Sequence, residues 1–155
     1  MKSLLVVACA VLAAAFPSAG LAAKTPLPGF HSPTGNIKCL FVPGARGENG
    51  TVGPAVLRCS IAAAGYARQL QNRCMAGPSV DWHGFELGAS EKGAVTCSGG
   101  ILYSPDTQRP TYTNLPYGHT WRHGVFTCVS RTTGVTCRSR SGHGLFVSRE
   151  SWRVW

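Results

Sequence analysis

Residues 124–139 read GVFTCVSRTTGVTCRS. Two short alternations of apolar and polar residues flank Arg131-Thr132-Thr133-Gly134. If those four residues form the loop, Ser130 opposes Val135 and Cys128 opposes Cys137. Directly opposed residues on antiparallel strands have Cα atoms ~4.5–5.5 Å apart, inside the ~4.4–6.8 Å range that a disulfide tolerates. A three-residue loop would slip the register by one and turn the thiols to opposite faces. The stretch therefore predicts a hairpin, Gly124–Ser130 with Val135–Ser139, stapled across its strands.

The same reasoning applies upstream. In Asn36–Val42 the residues Ile37, Cys39 and Phe41 share a face by period two, and in Ala55–Ile61 so do Leu57, Cys59 and Ile61. An antiparallel pairing that sets Cys39 opposite Cys59 also sets Phe41 against Leu57 and Ile37 against Ile61. Apolar pairs then flank the bridge on both sides. The two cysteines that remain, Cys74 and Cys97, form the third bridge. Six cysteines allow fifteen connectivities, and only the first and last pairs rest on register. Elsewhere Ala62–Gln71 is the best helical stretch, with Cys74 in a turn after it. Val80–Leu87 with Ala94–Cys97 reads as another strand pair, Ile101–Ser104 and Leu145–Ser148 as short strands, and Pro105–Pro110 as a loop. Lys24–Phe30, with Pro26 and Pro28, reads as an extended entry segment. Asn49-Gly50-Thr51 matches a glycosylation sequon but reads first as an Asn-Gly turn. The fold expected is all-β or β-dominated: antiparallel hairpins stapled by bridges 39–59, 74–97 and 128–137, with at most one short helix.

The N-terminus explains why bridges are expected at all. Lys2, the apolar run Leu4–Phe16 and the small residues Ser18–Ala23 have the form of a secretory signal. Removing residues 1–23 discards Cys9 and leaves an even set of cysteines in an oxidising compartment. Residues 24–155 then form one domain, secreted or periplasmic, with no further apolar run near the ~18–20 residues needed to span a bilayer.

The formal charge is +9. From Arg122 to Trp155 six arginines stand against Glu150 alone, a local excess of +5. Such a segment suits a polyanion or an envelope polymer, or simply keeps the chain soluble. Tyr112, Tyr117, Trp121, Trp152 and Trp155 are interleaved with Arg109, Arg122, Arg149 and Arg153, a mixture that can stack on rings and hold acidic groups. The binding residues this points to are Tyr117, Arg138, Arg140, His143, Arg149 and Trp152. By period two Arg138 and Arg140 face away from Cys137. His143, between Gly142 and Gly144, is a general-base candidate with Ser148 as nucleophile, although no nucleophile elbow surrounds that serine. His119 and His123 are four apart, with His83 or His143 as a further ligand, but no helical pattern aligns them. No metal or cofactor is expected. The few carboxylates form no suggestive pair, against a glycosidase.

Several motifs together resemble a family of small exported bacterial proteins of unknown function. They are the opening Phe30-His31-Ser32-Pro33-Thr34-Gly35-Asn36-Ile37-Lys38-Cys39, then Leu115-Pro116-Tyr117-Gly118, then Phe126-x-Cys128-x-Ser130, Gly134-Val135-Thr136-Cys137 and Gly142-His143-Gly144 through Ser148-Arg149. The chain departs from that pattern at Ser139, at Leu145, and at Trp152 and Trp155. The resemblance implies export, disulfides and a β-rich domain; it supplies no catalytic residues to carry over and leaves the function open. The leading reading is a monomeric, non-enzymatic exported binding module. The alternatives are a small secreted hydrolase using His143 with Ser148 or another histidine, and a purely structural envelope protein.

Overall fold

A computed structural model describes residues 23–44, 50–77, 81–98 and 105–155. The apolar run Leu4–Phe16 of the expected signal, Cys9, Asn49, Val80 and the expected strand Ile101–Ser104 lie outside these residues. Among the described residues eleven strands and one helix follow in the order β1 (Thr25–His31), β2 (Ile37–Val42), β3 (Val56–Ile61), α1 (Ala67–Met75), β4 (Trp82–Gly88), β5 (Ala94–Cys97), β6 (Gln108–Asn114), β7 (Thr120–His123), β8 (Phe126–Arg131), β9 (Gly134–Ser139), β10 (Gly144–Val147) and β11 (Trp152–Val154). They form a six-stranded sheet ordered β5-β4-β3-β2-β1-β6 and a five-stranded sheet ordered β11-β10-β9-β8-β7. The inner faces share one core. Phe30, Leu57, Phe85 and Leu87 from the first sheet pack with Phe126, Val135, Leu145 and Val147 from the second.

Both register arguments hold. Cys39 pairs with Cys59, Phe41 with Leu57 and Ile37 with Ile61. Cys128 pairs with Cys137 and Ser130 with Val135, around the two-residue tip Thr132-Thr133. All three expected bridges form, 39–59, 74–97 and 128–137. The two cross-strand bridges face each other through the middle of the core: the sulfurs of Cys39, Cys59 and Cys137 all lie within 4.8 Å of one another.

Four expectations need correction. The strands are not all antiparallel, because β1 runs parallel to β6 over Thr25–His31 and Gln108–Asn114. The entry segment is therefore a strand, and part of the Pro105–Pro110 loop is another. Pro26 and Pro28 are compatible with it. The Thr25 N–H donates to Thr107 O and the His31 carbonyl accepts from Leu115 N–H. Odd residues of β1 thus bond β6, while the two prolines point the other way, where pairing with β2 begins only at Gly29. Second, Thr120–His123 and Trp152–Val154, which carry no clear strand signal in the sequence, form β7 and β11. Third, the helix starts at Ala67 rather than Ala62. The N–H groups of Ala62 and Gly65 bond to Asn36 O and Arg149 O, so this segment takes tertiary partners instead of a helical ladder. Fourth, Cys74 lies within α1, one turn from Leu70 on its buried face.

Candidate functional site

The second sheet owes its outer face to its inner one. Period two turns Phe126 and Cys128 of β8, and Val135 and Cys137 of β9, into the core, so Thr127 and Arg138 must point out. Across the sheet Arg122 pairs with Thr127, Thr127 with Arg138 and Arg138 with Gly144. Gly144 and Trp155 then exchange two backbone hydrogen bonds, 2.9 and 3.0 Å. One row therefore runs across β7, β8, β9 and β10 as Arg122, Thr127, Arg138 and Gly144 and continues to Trp155, just after β11. Gly144 is required there, since a Cβ would lie 2.3 Å from the Trp155 indole, which rests against the strand. The indole N–H donates to Gly142 O at 3.1 Å. Arg138 and Arg153 place their guanidinium carbons 5.2 and 4.9 Å from the indole centroid, within reach of cation–π attraction.

A groove of about 440 Å³ continues this row past the ends of β7 and β9, with Arg122, Arg138 and Arg140 around Thr127 and Gly124. None of the five strands contains Asp or Glu. Arg122, Arg138, Arg140 and Arg153 take no part in an ion pair among the described residues; Arg58 and Glu86 pair at 2.7 Å on the first sheet instead. His143 sits in the β9–β10 turn, and its backbone carbonyl accepts the Ser139 N–H at 2.9 Å.

A second cleft, about 270 Å³, lies at the far end of the sheets. There the β1–β2 turn, the β8–β9 tip and the β10–β11 turn meet, bringing Asn36, Tyr117, Arg131, Thr133, Arg149 and Glu150 together. Its walls are braced. The Asn36 side chain accepts from Ala63 N–H at 2.8 Å and donates to Ala63 O at 3.1 Å. Gly65 N–H holds Arg149 O at 2.8 Å. The Tyr66 hydroxyl donates to Ser148 O at 2.9 Å. Burial, and secondarily the Glu150 charge, push the Tyr66 phenol up to about 12.

The sequence-derived site residues thus divide. Arg138 and Arg140 share the groove, and His143 does not line it. Tyr117 and Arg149 share the cleft with Ser148. Trp152 joins neither, because it packs inward with its ring 5.4 Å from Phe85 and 6.5 Å from Tyr66. Trp121 likewise stacks inward, 5.1 Å from Phe30. The His143–Ser148 pairing has no geometry. The two flank β10, and five residues of extended chain separate them by ~16 Å. The Ser148 hydroxyl is also engaged in its own turn, accepting from the N–H groups of Glu150 and Ser151 and donating to Ser151 O. His119 and His123 stand at the two ends of β7, ~13 Å apart along the strand. Among the described residues the one gathering of three metal-ligating side chains is the trio of cystine sulfurs, whose thiolates are already consumed.

Reading the chain alone missed Arg131, Thr133, Asn36 and Glu150 as neighbours. They come from three separate turns, and no local pattern announces that convergence. No helix among the described residues is long and apolar enough to cross a membrane. No curated protein and no solved structure matches the chain. Residues 5–154 match the family of unknown function DUF6636, and the chain belongs to that family.

Proposed function

We propose that the chain is an exported binding domain that grips anionic polymers on the outer face of its second sheet. The observation that carries this reading is the row Arg122–Arg138–Trp155, with Arg153 on β11 and Arg140 just past β9, on a sheet whose five strands contain no Asp or Glu. Guanidinium groups with no ion pair among the described residues, spaced along a sheet, suit repeated phosphates, sulfates or carboxylates, and the indole gives a flat surface for a ring. Three disulfides support a destination outside the reducing cytoplasm. The hydrolase alternative loses its pair, since His143 and Ser148 lie at opposite ends of β10.

The test is binding of a short fluorescent single-stranded DNA, used as a generic polyanion, across a salt series. Four arginines that each neutralise one phosphate give a slope of log K against log salt near about −3. In the double variant Arg138→Gln/Arg140→Gln that slope falls to roughly half. Weak binding even at low salt, or an unchanged slope in the double variant, would show that the charge is dispersed and serves solubility.

A further inference from the structure

The cleft at the opposite end of the sheets is a different kind of place from the outer face. It is concave, and about 270 Å³ is the scale of one sugar ring with a substituent rather than of a polymer stretch. Its polar equipment is mixed. Arg131 and Arg149 line it, as do the hydroxyls of Thr132 and Thr133, the phenol of Tyr117 and the carboxylate of Glu150. Arg131 and Arg149 hold no carboxylate among the described residues, and Tyr117 is 42% exposed.

Placement explains why these groups converge. Arg131 ends β8 opposite Gly134 of β9, and Val147, which ends β10, pairs with Val135 of β9. Arg149 follows two residues later. The two arginines therefore rise from strands two apart, ~10 Å between backbones. That spacing lets both forks close on one anionic group, or on two groups of one small molecule. Thr132 and Thr133 of the β8–β9 tip line the same cleft.

The walls are fixed without a ligand. Asn36 ties the β1–β2 turn to Ala63, Gly65 N–H and the Tyr66 hydroxyl tie the β10–β11 turn to the segment before α1, and Ser148 closes that turn on itself. A site already rigid loses little further entropy on binding.

We infer that this cleft binds a single acidic sugar residue, with Arg131 and Arg149 on its carboxylate or phosphate, Glu150 and the threonines on its hydroxyls, and its ring face on Tyr117. The combination selects for both halves of that ligand. Two forks demand an anion, while a carboxylate, two hydroxyls and an exposed ring suit a polyol face. Glu150 also repels a bare anion, which would gain nothing from it. The inference stands apart from the polymer grip, because it shares no residue with the groove lined by Arg122, Arg138 and Arg140.

The test is a titration of the isotope-labelled protein, followed by its amide resonances, with D-glucuronate, glucose 6-phosphate, glucose and inorganic phosphate. Saturable shifts at Tyr117, Thr132–Gly134 and Arg149–Glu150 are expected with one or both acidic sugars. The stronger of the two identifies the anionic group as carboxylate or phosphate. Arg149→Gln and Tyr117→Ala each weaken that binding, the former about tenfold or more, with the spectrum otherwise unchanged. In both variants the salt slope for single-stranded DNA stays at the wild-type value, so failure here is separable from failure of the polymer reading. Glucose or inorganic phosphate binding as tightly as the acidic sugars overturns the inference. So does the absence of saturation by either acidic sugar, or binding that survives both substitutions.

Discussion

Tyr66→Phe removes one oxygen and tests how the cleft is held. The Tyr66 side chain is 8% exposed and its hydroxyl donates to Ser148 O at 2.9 Å. Ser148 is also buried, so its carbonyl is left in the core edge without that donor. Losing the bond and stranding the acceptor costs about 1–3 kcal/mol. A chain of this size loses roughly 3–4 °C of Tm per kcal/mol, so a fall of about 7 °C is expected at neutral pH. The alkaline limb sharpens the test. The phenol is pushed up to about 12 in the folded chain, by burial first and Glu150 second, whereas it ionises near pH ~10 when unfolded. Its contribution is therefore complete below pH ~10 and is lost progressively as the pH rises to about 12, amounting to ~2.7 kcal/mol over that interval. Urea midpoints measured at intervals from pH 8 to 11 should show the wild type converging on Tyr66→Phe. Absorbance at the phenolate band should show one of the chain's four tyrosines titrating late, a phase absent from the variant. A Tm within a degree of wild type, or a gap that stays constant with pH, would refute the argument that this bond anchors the β10–β11 turn.

Ser130 is fully buried and its hydroxyl has no hydrogen-bond partner among the described residues. Ser130→Ala should therefore leave Tm unchanged or raise it by a few degrees, since an unsatisfied buried hydroxyl is a loss of ~1 kcal/mol or more. Gly134 has φ +139, and a Cβ there would meet Val147 O at 2.5 Å and the Phe146 ring at 2.8 Å. Gly134→Ala should lower stability by ~2 kcal/mol or more, clearly beyond Gly35→Ala, where φ is +71 and the space is open, at ~1 kcal/mol. Arg138→Gln/Arg140→Gln should lower Tm by less than about 7 °C, because exposed charges contribute ~0–1 kcal/mol each and each kcal/mol is worth roughly 3–4 °C.

What was legible in the chain follows from how local each signal is. Cys128 and Cys137 lie nine residues apart, so a turn and a period-two count are enough to pair them. Cys39 and Cys59 are twenty apart, yet Phe41 with Leu57 and Ile37 with Ile61 carry the register through the intervening loop. The strand β6 carries no such signal. QRPTYTN has no apolar alternation, its residues are mostly exposed or half-buried, and its partner β1 lies over eighty residues away. In β11 only Trp152, Arg153 and Val154 alternate, too few to assert a strand, although their order alone turns Trp152 inward and Arg153 outward. The helix was displaced for a related reason. Ala62–Ala64 favour a helix locally and Gly65 weakens it, and Asn36 and Arg149 claim N–H groups of this segment from distant turns.

The same bookkeeping of faces links the bridges to the proposed surface. A disulfide between directly opposed residues fixes not only which side chains meet but which side of the sheet they meet on. Once Cys128 and Cys137 are joined inside, Thr127, Val129, Thr136 and Arg138 have no alternative to the outer face. The backbone exchange between Gly144 and Trp155 extends that choice to the last residue of the chain, and the missing side chain at Gly144 leaves room for the indole between Arg138 and Arg153. Reducing only the Cys128–Cys137 bridge would relax the register that aims these arginines while leaving their number unchanged. Charge alone predicts the same salt slope for the reduced and oxidised protein. Charge held in a row predicts a shallower slope once the bridge is open, and the variant Cys128→Ser/Cys137→Ser, measured under conditions where it stays folded, separates the two.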